Sequence, residues 1–198
     1  MKLDQKPLAQ CCNAQVSARV FAEGVWEKPM FTNTQPQSGT YFQALPFAEK
    51  LLIWSARLWV DALNQNYSIT KQLSEAYRLA GAGSAYMALD SLMSIIATAA
   101  TTSVEIRYIK CSALSEDEQL LLTAVGVGQQ DVPLCEASDL LKPVLPEAAC
   151  RCARPFIGAI ANDFAAANLN IRVIPEVLLS AGSDEVSPTN ELYPVNVH

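Results

Sequence analysis

Histidine is almost missing from this chain. Of its 198 residues only the last, His198, is one. A Ser-His-Asp triad or a Cys-His dyad could form only if the terminal residue supplied the base, and a histidine-rich zinc site is excluded. No catalytic residue is therefore assigned. Charge is also scarce, at 17% of residues against about 25% in ordinary globular chains. The sequence has no dense run of Lys and Arg, and its net charge is −6. Nucleic acid, whose phosphates demand clustered cations, is thus not an expected partner.

Long apolar runs are lacking too. The best, Leu92 to Ala100, holds Ser94 and Thr98 and falls short of the ~18 residues of a membrane span. Lys2 and Lys6 are followed by no apolar signal core, so neither membrane nor export is expected and the cytoplasm is the default. The six cysteines, Cys11, Cys12, Cys111, Cys135, Cys150 and Cys152, contain no C-x-x-C spacing. Side chains two apart on a helix diverge by about 200°, so Cys150 and Cys152 cannot easily share an ion. Without export, thiols stay reduced. The expectation is no metal and no cofactor.

What the chain does have is apolar residue, 51% of the total, and one strongly patterned stretch. In Phe47–Gln65, FAEKLLIWSARLWVDALNQ, one stripe runs Phe47, Leu51, Trp54, Leu58, Ala62 and another Leu52, Ala56, Trp59, Leu63. Both have helical spacing, and together they exceed one face. Lys50, Arg57, Asp61 and Asn64 leave a narrow polar strip interrupted by Ile53 and Val60. Such a helix must be buried on at least two sides, so it is read as central.

The other elements arrange around it. A weakly amphipathic helix is expected over Leu8–Phe21, then an extended arm whose Trp26, Met30, Phe31, Tyr41 and Phe42 dock on the core or on a neighbouring subunit. Ser68 or Thr70 should cap a helix over Ile69–Ala80, and Ser84 a helix to about Thr101, after the breakers Gly81 and Gly83. Residues 104–109 alternate like a strand, with 171–174 as a candidate partner in a small ribbon. Ser115 with Glu118 three residues on forms a capping box. A short helix near 134–142 and a long one from Pro146 to about Leu169, kinked at Pro155, complete the reading. The fold class expected is mostly all-α: a single-domain bundle of five to seven helices around the central helix 47–65. Its divisions are an N-terminal helix and arm (1–43), a helical core (44–180) and an irregular tail (181–198).

Gly81-Ala82-Gly83-Ser84 opens a helix but lacks the third glycine or the lysine of a phosphate loop. A faint helix-turn-helix at 73–89 offers no Arg, Lys, Asn or Gln at Ser84–Ala88 to read bases. The ligand-binding candidates gather around the central helix: Trp54, Arg57, Asp61, Tyr77, Tyr86 and Asp90. An arginine among aromatics can clamp a carboxylate or a planar ligand. The plainer alternative is an Arg57–Asp61 pair at i, i+4 along the solvent strip.

Little charge and a sticky arm favour a non-enzymatic cytoplasmic protein that acts by protein–protein interaction as a homodimer. The alternatives are a helical small-molecule sensor with a pocket near Trp54 and Arg57, and an enzyme working without histidine.

Overall fold

The computed structural model describes residues 15–16 and 41–172. The described chain is mostly helical, as expected. After a 3-10 turn at Phe42–Ala44 come α1 (Phe47–Gln65), α2 (Thr70–Leu79), α3 (Ala85–Ala99), α4 (Glu116–Gly128), α5 (Leu134–Asp139) and α6 (Glu147–Ala166). No helix among the described residues is long and apolar enough to cross a membrane.

Helix α1 has the expected bounds. It starts after Pro46 and ends at Asn66, which adopts the left-handed conformation that closes many helices. Eleven of its nineteen residues are buried, with α3 and α4 packed on it. The most extensive helix–helix contact is between α3 and α6, where Leu89, Leu92, Met93, Ile157, Ile160 and Phe164 are all buried. Helix α6 runs unbroken through Pro155 and also packs on α4 and α5. Gly158 permits this approach: a Cβ there would stand 2.8 Å from Leu134 Cδ1 of α5.

The capping box at α4 is present in full. Ser115 Oγ accepts from the Glu118 backbone N–H, and Glu118 Oε2 accepts from the Ser115 N–H. The caps expected at α2 and α3 are not. Ile69 stands at the start of α2 with no side-chain cap. Ser84 does precede α3, but its hydroxyl donates to Asp163 Oδ2 at 2.6 Å, tying the start of α3 to α6 rather than capping its own helix.

The ribbon also differs from expectation. Strand β2 (Val104–Glu105) pairs antiparallel with β1 (Gln15–Val16), in the register Gln15↔Glu105 and Val16↔Val104. Of the expected partner, 171–174, the two described residues are engaged elsewhere: the Ile171 N–H donates to Gln129 Oε1, and the Arg172 N–H to Glu49 Oε1. Gln15 and Val16 are therefore extended where a helix was expected over Leu8–Phe21, and the rest of that stretch lies outside the described residues. So do Trp26, Met30 and Phe31 of the arm, and the tail from 181. Of the arm's aromatics, Tyr41 forms a β-bridge with Ala113, and the Phe42 N–H donates to Ser112 O at 2.7 Å. This end of the arm docks on its own core.

Candidate functional site

Arg57 was the natural candidate to hold a ligand. It is 1% exposed, and all its donors are engaged. Nε and Nη2 make a bidentate pair with Glu118, at 2.7 and 2.8 Å. Nη1 donates to Cys111 O at 2.6 Å and Tyr108 O at 3.4 Å; Nη2 also donates to Ala113 O at 2.8 Å. A guanidinium has five N–H groups, and each has an acceptor here. The Phe42 ring lies 5.0 Å from its central carbon, within cation–π range.

Glu118 is equally saturated. Besides Arg57 it accepts from the Arg107 and Ser115 backbone N–H groups, which fills about four acceptor positions. Both side chains are fully buried. This cluster joins α1, the turn at Phe42, the irregular segment 106–114 and the start of α4. Its chemistry is that of a structural clasp, and no donor faces outward for a substrate.

The expected Arg57–Asp61 pair is therefore not formed. Asp61 instead accepts from Gln65 Nε2 at 2.7 Å and Tyr67 Oη at 2.9 Å, both on the surface. The solvent strip of α1 also differs in part from the one expected. Lys50, Asp61 and Asn64 face solvent as expected, but Phe47, Trp54, Leu58 and Gln65 join them and Arg57 does not. The reason is the clasp: the segment carrying Tyr108, Cys111 and Ala113 covers the face that holds Arg57.

The remaining candidates are dispersed. Tyr77 is buried, with its ring centroid 5.9 Å from that of Phe164. Burial pushes its phenol well above the usual range, an effect partly offset by the nearby Ser55 hydroxyl. Ser55 donates to Leu51 O. Asp90 accepts from Trp59 Nε1 at 2.7 Å, joining α3 to α1. Trp54 and Tyr86 are partly buried against the core. Among the described residues, the indole that donates to an acid is that of Trp59.

A shallow groove lies beside Trp59, lined by Val60, Met93, Ile96, Ala97, Ala100, Val104 and Ile106. Its volume is about 10 Å³, room for roughly one water. Every lining side chain is apolar apart from the indole nitrogen.

Among the described residues, no group of three or more His, Cys, Asp or Glu could hold a metal ion. Cys111, Cys135, Cys150 and Cys152 are free thiols. Burial pushes the Cys150 thiol up, the opposite of an activated nucleophile.

A second acidic clasp was missed in the sequence. Glu49, 3% exposed, accepts from the backbone N–H, Nε and Nη2 of Arg172, at 3.1, 2.9 and 3.0 Å. The Arg172 side chain is 64% exposed. A carboxylate between Ala48 and the apolar run Leu51–Trp54, off the polar strip, was the available signal. Comparison with family models, curated proteins and solved structures finds no match.

Proposed function

We propose that this chain is a non-enzymatic helical module of the cytoplasm that works through protein–protein contact, as a homodimer. The observation supporting this reading is how the structure divides its polar and apolar groups. Arg57 and Glu118 are spent inside the fold, while Tyr41, Phe47, Leu63, Tyr67, Leu79, Met87 and Tyr108 remain exposed. In a chain with so little charge, apolar surface favours a covering partner. Sedimentation velocity over a micromolar concentration series tests the reading, with a dimer expected. A strict monomer that stays soluble throughout counts against it.

A second reading, a small-molecule sensor, draws on the apolar groove beside Trp59. The ligand would be small and apolar, and the groove would have to open to admit it. A screen of such compounds by tryptophan fluorescence and melting temperature tests it; no response in either removes it.

A further inference from the structure

The solvent-facing strip of α1 is unusual in its contents. Phe47, Lys50, Trp54, Leu58, Asp61 and Gln65 fall within an arc of about 80° around the helix. Phe47 is 60% exposed, and Lys50, Trp54, Leu58 and Asp61 are partly exposed. Apolar residues hold the centre and one end of the strip. Its two charges are opposite in sign and sit either side of the centre.

That order is self-complementary. Place a two-fold axis across the strip at the level of Ala56, so that two copies of α1 lie antiparallel. Lys50 lies about 9 Å along the helix on one side of the axis and Asp61 about 7.5 Å on the other. Each Lys50 then comes level with the Asp61 of the second copy to within about 1.5 Å. Each Trp54 comes level with the Leu58 of the second copy, and Phe47 with Gln65. A two-fold interface requires this reciprocity, since residue i must meet j wherever j meets i.

The two charges are also available to a partner. Among the described residues Lys50 makes no ion pair. Asp61 accepts two hydrogen bonds and keeps acceptor capacity. An unrelated partner would need neither the opposite signs nor the nearly equal spacing.

We infer that the α1 strip is a self-association surface, on which a second copy of this chain docks antiparallel with Trp54 against Leu58 and Lys50 paired to Asp61. This inference rests on the homodimer reading above and specifies its surface. Each dimer would contain the ion pair twice, at the rim of a small apolar centre.

Charge exchange in the full-length chain tests it, with sedimentation velocity and native mass spectrometry as readouts. Lys50→Glu alone and Asp61→Lys alone place like charges across the axis, and each should weaken dimerisation about tenfold or more. The two combined restore opposite charges and should recover most of the lost affinity. Lys50 and Asp61 are eleven positions apart on one helix, so no contact within the chain could produce that rescue. Trp54→Ala should weaken the dimer by about thirtyfold, and an unchanged helical circular dichroism signal separates this from unfolding. A wild-type monomer overturns both this surface and the homodimer reading, whatever else covers the strip, this chain's own first forty residues included. A dimer indifferent to all these substitutions leaves self-association standing and overturns this surface. Weakening by both single reversals without rescue overturns the antiparallel register.

Discussion

Helix α1 carries both halves of a comparison. Near its start Glu49 takes Arg172, and near its middle Arg57 takes Glu118. Both are arginine–glutamate pairs with two-point geometry, and in both the member on α1 is buried. They differ in the other member. Glu118 is as buried as Arg57, whereas the Arg172 side chain is 64% exposed. The inner pair is sealed and surrounded by backbone groups that complete its hydrogen bonding. The outer pair has one wall open to water. Sealing makes a pair costly to break, because a lone charge remains in a low-dielectric interior. An open wall lets water replace the lost partner. The inner pair therefore behaves as part of the core, and the outer one as a tie on the chain near residue 172.

The largest effect should come from halving the inner pair. Arg57→Met leaves Glu118 buried with only two backbone donors, and should cost about 3–5 kcal/mol in urea denaturation. Glu118→Gln should cost a similar amount, since it strands the guanidinium and weakens the capping box. The double variant should cost clearly less than the two singles together, because neither charge is then left alone. Additive losses would mean that the pair does not act as a unit.

The outer pair should respond less, and respond to salt. Arg172→Ala should cost about 1 kcal/mol, because water reaches Glu49 once the arginine is gone. Adding salt should reduce that cost by screening while leaving the cost of Arg57→Met nearly unchanged. Equal salt sensitivity of the two would erase the distinction between a sealed and an open clasp.

The clasps also mark where sequence reading stops. The bounds of α1, the Pro46 start and the capping box at Ser115 and Glu118 were legible because each is a local pattern with a local cause. Arg57 was legible as an arginine among aromatics, able to clamp a carboxylate. Its partner was not, because Glu118 lies 61 positions away and already has a complete local explanation as a capping-box residue. One side chain serves both purposes, and periodicity reports only the nearer. The same limit applies to Ser84, whose position reads as a cap but whose hydroxyl finds Asp163 79 positions away. It applies to the strip of α1 too. A helix apolar on most sides does not reveal which face stays uncovered until the segment 106–114 is placed on it.

The smallest effect sharpens the comparison within a single helical turn. Asp117 precedes Glu118 in the first turn of α4 and has no ion pair among the described residues. Its Oδ2 accepts from the Glu105 N–H at 2.6 Å. Burial raises its carboxyl above the ordinary range; the hydrogen bond from Glu105 works against that, and the charges of Glu116 and Glu118 add to it. Burial likewise raises Glu105, although Arg107 pulls it back. An acid whose folded value is raised holds its proton more firmly folded than unfolded. Its contribution to stability is complete below the ordinary aspartate value of 3.8 and is lost as pH climbs through the raised one. Asparagine cannot ionise, so Asp117→Asn removes this loss. The variant's weaker acceptor shifts stability by a constant amount at every pH, so the pH-dependent part isolates the carboxylate. Melting temperatures across mildly acidic to neutral pH should show the variant gaining on the wild type as pH rises through that window, then running parallel to it. The gain should stay under about 1 kcal/mol, because Asp117 is only half-buried and sits at the favourable end of the helix. A gain of the opposite sign would mean that the start of α4 stabilises this carboxylate as an anion, and that a buried acid here has no need of the cation that Glu118 takes from α1.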